Sequence, residues 1–171
     1  MTETTSPVSV ALLNFAGTLA KRGPQSFRSK VALLNHVGYN WRAEDTIVFR
    51  LADQAVRVWA AAILERKDRK FDADTLRSLP PITDRETSST AKVTLEALDS
   101  ALVSHAKDCA ASAAGDAGTP DFVGTQAAFT AIALANSYDD HRRQDVYESA
   151  AALLSELRSG FDLLVDDELR H

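Results

Sequence analysis

Five consecutive residues, Asp139-Asp140-His141-Arg142-Arg143, bring two carboxylates, an imidazole and two guanidinium groups together within the stretch SYDDHRRQD. An adjacent His and Asp are metal ligands in helical metal phosphohydrolases, where several such residues at separated positions hold a metal and a phosphate. Here the other histidines, His36, His105 and His171, have no acidic neighbour in the chain. The same letters also suit the joint between two helices. Asp139 or Asp140 can cap the second helix, with Gln144 and Asp145 in its early turns. Arg142 and Arg143 then stand at a helix N-terminus, where the dipole disfavours cations. They are expected to be held by Asp139 and Asp140, or by the carboxylates of a partner.

Other metal chemistry fares no better. A carboxylate-bridged dimetal bundle needs two Glu-x-x-His pairs, because residues i and i+3 share a helix face. The chain offers one, Glu168 to His171, in its last four residues. His105, with Asp99 and Asp108 near it in sequence, is expected at the margin of the core and bonded to a carbonyl. No metal and no cofactor is expected; the residues that come closest to a metal set are His105, Asp140 and His141. Cys109, the single cysteine, lies among alanines and reads as buried and inert; a nucleophilic thiol would want a nearby cation or helix N-terminus to activate it. Gly-rich phosphate loops, CxxC, HExxH, EF-hand loops and the G-x-S-x-G elbow are all missing from the sequence. None of the remaining segments is diagnostic, and no family is identified from them.

The elements that must position these residues follow from apolar spacing. Ser6 and Pro7 suit the start of a first helix carrying Val8, Leu12, Phe15 and Leu19, which Gly23-Pro24 ends. A second helix starts near Pro24 or Ser26, carries Phe27, Val31, Leu34 and then Val37 or Gly38 on its stripe, and is closed by HVGYNW, with Gly38 suited to the C′ position and Asn40 to a turn. That places Trp41 in a loop. The third and clearest helix has Ile47, Leu51, Ala55, Val58 and Ala62 on one stripe, flanked by Val48, Ala52, Trp59 and Ile63; Trp59 is expected in the core. The segment from Phe71 to Thr90 contains Pro80-Pro81, which a helix cannot continue through. Its apolar residues Phe71, Leu76, Leu79 and Ile82 make it an ordered crossover over the core, with a short helical turn through Leu76. A fourth helix, capped by Ser88, Ser89 or Thr90, runs to about Ala114. A fifth starts near Pro120-Asp121, and its alanines and threonines permit close approach of another helix. The sixth runs from about His141 to Glu168.

Composition bounds the rest. Of 171 residues, 45% are apolar and 25% charged, as in an ordinary folded protein. Alanine, roughly one residue in six, favours helix because it loses no side-chain entropy there. A net charge of −5 lacks the footprint of a nucleic-acid binder. The run Val8–Ala20 is interrupted by polar residues and followed, not preceded, by Lys21 and Arg22, the wrong order for a signal peptide.

The expected object is therefore an all-α protein. It is a single helical domain over residues 1–171, with residues 1–6 as a fraying tail. About six helices form a bundle with the Pro-containing crossover between helices three and four. The expected function is that of a non-catalytic, cytoplasmic binding or regulatory protein from a bacterium, working through protein–protein contacts. It is expected to touch neither nucleic acid nor membrane. The candidate partner contacts are Trp41, Arg142 and Arg143. A homodimer through the small-residue face of helix five or the wide apolar face of helix three is a second expectation. The alternative is a metal-dependent or small-molecule enzyme on the same scaffold.

Overall fold

The structure, a computed structural model, describes residues 9–21, 41–98, 101–115 and 120–169, and within these the side chains of all but residues 41–44, 121 and 158–169. Seven helices lie among the described residues: α1 (Val10–Ala20), α2 (41–66), α3 (Lys70–Arg77), α4 (Arg85–Leu98), α5 (Ser104–Ala113), α6 (Pro120–Asn136) and α7 (Arg142–Leu169). The chain is all-α among the described residues, and no helix there is long and apolar enough to cross a membrane. The expected second helix, with His36, lies outside the described residues, as do Ser6, Pro7 and His171.

α1 starts later than expected. Ser9, not Ser6, is its N-cap, and the buried Ser9 hydroxyl accepts the Leu12 N–H at 3.0 Å. Leu12, Phe15 and Leu19 are buried at the spacing foreseen.

α2 begins at Trp41, which is therefore helical backbone and not loop. It consists of Trp41–Asp53, a π-helical stretch Gln54–Ala60, and Ala61–Arg66. The π stretch overturns the expected stripe. Ile47, Leu51 and Ala55 are buried as foreseen, but Val58 is 47% exposed and Ala62 only half-buried. Trp59, Ala60, Ile63 and Leu64 face the core in their place. Bonding from i to i+5 takes one extra residue into the turn, so the inward face falls one position later.

α2 ends in a tight turn where Asp68 has φ 59°, a left-handed conformation that Asp tolerates better than most residues. The first half of the expected crossover is then the regular helix α3, held by buried Ala73 and Leu76. The second half, with Pro80 and Pro81, is not helical; Ile82 in it is buried, and its N–H donates to Asp53 Oδ1 at 2.9 Å.

The expected fourth helix is two. α4 and α5 are separated by residues 99–100 and a 3₁₀ turn, Ala101–Val103. They pack on each other, and the buried Ser88 hydroxyl bonds across to the Ala110 carbonyl at 2.9 Å. Ala91 and Leu95 on α4 and Ala106 and Ala110 on α5 are all buried in this arrangement. Ser88 is thus a cross-link. The cap is Asp84, whose carboxylate accepts the Thr87 N–H at 2.8 Å while the Thr87 hydroxyl accepts the Asp84 N–H at 3.1 Å.

α6 is the central helix. Val123, Gln126, Ala127, Ala128, Ala131 and Ala135 are all buried, and α1, α2, α5 and α7 pack around it. Its small-residue face is covered by α1, and the apolar face of α2 is buried in the same core. Among the described residues of these two helices, Val58 on α2 and Phe122 on α6 remain exposed.

Candidate functional site

The SYDDHRRQD stretch is the α6–α7 joint. Arg66, at the end of α2, donates through Nε to Ser137 Oγ at 2.8 Å and through Nη2 to the Ser137 carbonyl at 2.6 Å. Its guanidinium carbon lies 3.8 Å from the centroid of the Tyr138 ring, and that of Arg142 lies 5.0 Å from it. Such cation–π contacts hold a ring between two charges. Arg142 grips Asp140 in a two-pronged pair, Nε at 3.2 Å and Nη2 at 2.8 Å, and its backbone N–H also donates to Asp140 Oδ1 at 3.0 Å. Arg143 Nε donates to the Tyr138 carbonyl at 3.1 Å.

This explains two cations at a helix N-terminus. The dipole of α7 disfavours them, but Asp140 neutralises one, and the other bonds to a carbonyl just past the C-terminal end of α6, where cations are favoured. Arg142 and Arg143 spend these bonds inside the chain. His141 is exposed and directly precedes α7; the N–H groups of Gln144 and Asp145 donate to its carbonyl.

The Arg142 guanidinium and N–H hold the Asp140 carboxyl well below its ordinary value of 3.8. A depressed carboxylate supports the fold above the unfolded pKa and loses that support as pH falls through the folded one. The pair is exposed, so its effect on stability is small. Replacing Arg142 by Ala removes the guanidinium but keeps the backbone N–H, so the Asp140 titration is expected to rise towards its ordinary value of 3.8 without reaching it, read from its side-chain carbonyl carbon by NMR. An unchanged titration would mean that the pair does not form in solution.

His105 lies elsewhere in the bond network. Its Nδ1 is 2.8 Å from Gln126 Oε1, and its ring is tilted on Phe129 at a centroid distance of 5.2 Å. It bonds to a carbonyl, as expected, but of a side-chain amide on the central helix. Among the described residues, no group of three or more His, Cys, Asp or Glu could hold a metal ion. Cys109 is fully buried, its Sγ 3.6 Å from the Val123 carbonyl. Burial first, and Asp108 second, push its thiol pKa far up.

The most exposed large apolar side chain described is Phe71, at 84%. α3 presents it on a fixed frame. Ala73 and Leu76 anchor the inner face in the core. On the outer face the Thr75 hydroxyl donates to the Phe71 carbonyl at 2.9 Å, and Lys70 pairs with Asp74 at 3.2 Å. Arg77 ties the helix back to Glu65 on α2 at 3.0 Å, which lowers the carboxyl pKa of Glu65. Beside Phe71 is a shallow hollow of about 380 Å³ lined by Asp74, Thr75, Ser78, Leu79 and Pro80. A second, of about 320 Å³, lies on α4 between Glu86, Ser89, Thr90, Val93 and Thr94.

Grouping Phe71 with Leu76 and Ile82 as crossover residues missed this: those two are buried and Phe71 is not. The signal was present in the spacing. Ala73 and Leu76 share a face at i, i+3, whereas Phe71, two residues before Ala73, falls about 200° round the helix. The side chain of Trp41 lies outside the described residues.

Compared with protein-family models, with curated proteins and with solved structures, the chain matches none of them.

Proposed function

We propose that this chain is a binding protein that engages a protein partner through the outer face of α3, with Phe71 as the anchor. The observation that carries this is a phenylalanine 84% exposed on a short helix that is fixed at its inner face, its outer face and its end. An aromatic ring held in water on a pre-ordered element loses little entropy when a partner covers it, and burying it yields about 1.5–3 kcal/mol. Leu79 and Pro80 extend the apolar surface, and Lys70, Asp74, Arg77 and Glu65 surround it with charges of both signs. An apolar centre inside a polar rim is the arrangement of a protein–protein contact. Within the chain Arg142 pairs with Asp140 and Arg143 bonds to the Tyr138 carbonyl.

Replacing Phe71 by Ser is expected to weaken partner capture about thirtyfold, corresponding to roughly 2 kcal/mol for an interface anchor. Because the side chain is exposed, thermal stability should stay within about 0.5 kcal/mol of the parent. Quantitative affinity capture with the two chains side by side, together with their melting curves, measures both. Equal capture by the two chains at equal stability would remove Phe71 from the binding function.

A further inference from the structure

The apolar residues of α2 are compatible with two registers, and the structure uses one. A continuous α-helix would carry Ile47, Leu51, Ala55, Val58 and Ala62 on its inward stripe. The π stretch Gln54–Ala60 shifts the later part by one residue, so Trp59, Ala60, Ile63 and Leu64 are buried and Val58 is exposed. We infer that this stretch is a register switch whose state sets whether Arg66 holds the α6–α7 joint.

Three observations support it. First, both registers have an apolar residue for every inward position. Exchanging them trades the burial of Leu64 for that of Val58, while Trp59 and Ile63 stay at or beside the stripe in either. Second, one buried side chain of the stretch is incompletely bonded. Arg57 Nε is buried with no hydrogen-bond partner, although Nη1 reaches Asp53 at 2.9 Å. Third, the output is connected. Conversion to α-helix would turn Ala61–Arg66 by about 100° and move it by about 1.5 Å. Arg66 would leave Ser137 and the Tyr138 ring, both bonded to it in the observed register. Asp53 also receives the Ile82 N–H, so the strand of chain that follows α3 is tied to the start of the π stretch.

The test is fluorine NMR of the full chain carrying 5-fluorotryptophan, with Trp59 assigned through Trp41→Phe. The Trp59 line is expected to be broadened by millisecond exchange. In Val58→Asp it should narrow, because a carboxylate stands in solvent in the observed register but would be driven into the core in the other. A chain with Val58 deleted should give the same narrow line. It reaches the observed buried set by an uninterrupted α-helix, and it should fold with a melting temperature no lower than the parent's. A Trp59 line of equal width in parent and Val58→Asp overturns the switch, and so does a deleted chain that fails to fold.

Discussion

Alanine in place of Gly124 is expected to destabilise the protein by about 3 kcal/mol, at the upper end of the usual cost of overpacking. For a chain of this size that lowers the melting temperature by about 6 to 12 °C. The cause is the crossing of α6 over α1. A Cβ at Gly124 would lie 2.0 Å from the Ala11 carbonyl oxygen, 2.9 Å from its carbon and 3.0 Å from the Phe15 nitrogen. These are backbone atoms of a buried helix, so no rotamer change relieves the clash. The two helices would have to separate, and the alanines that let them approach would no longer be in contact. Gly17, on α1 itself, is the control. A Cβ there meets nothing within 4 Å, so Gly17→Ala should stabilise the chain by roughly 0.5–1 kcal/mol through helix propensity alone. Thermal unfolding followed by circular dichroism separates the two outcomes. If Gly124→Ala melts with the parent, α1 and α6 do not cross as closely as described.

Trp59→Ala is expected to cost about 3–5 kcal/mol, a fall of about 6 to 20 °C in melting temperature. Trp59 is a fully buried side chain, stacked on Phe15 with centroids 5.8 Å apart and planes within 13°. It thereby joins α2 to α1, and it does so from inside the π stretch. Truncation removes the largest fully buried side chain among the described residues and leaves a cavity that the surrounding core closes only in part. Trp59→Phe keeps a ring against Phe15 and should cost less than the alanine variant. Chemical denaturation of the three chains, compared at constant m-value, measures the series. Equal midpoints for Trp59→Ala and the parent would contradict the burial of this residue.

Local periodicity made much of the fold legible. Leu12, Phe15 and Leu19 on α1, Ile47 and Leu51 on α2, and Val146, Ala150, Leu153 and Leu157 on α7 face the core as their spacing requires. Cys109 is buried among small residues, as its neighbours suggest. What was not legible depends on contacts between distant segments. Trp59 is in the core as expected, but nothing local shows that Val58 is turned outward and Leu64 inward; that follows from the π stretch, in which Trp59 stacks on Phe15, far away in sequence. The division of the long fourth pattern into α4 and α5 is likewise set by what each half packs against, through pairs such as Ser88 and Ala110.

The joint shows the same boundary. Asp140 with Arg142 is a near neighbour pair and was foreseen. Arg66 with Ser137 and Tyr138 spans 71 positions and was not. Phe71 differs in kind: the spacing of Ala73 and Leu76 places it outward, but a short segment ahead of two prolines was read as a crossover and not as a helix with faces. The candidate site was therefore within reach of the sequence once α3 was recognised as a helix.

The function proposed for that face is tested most directly by asking what touches it. A photoreactive phenylalanine analogue placed at position 71, irradiated in the cells that make the protein, should give one discrete adduct. The same analogue at Ala152, an exposed position on α7, should not. The mass of the adduct distinguishes a second copy of the 18.5 kDa chain from a different protein. No adduct at position 71, or the same adducts from both positions, would contradict a binding face on α3.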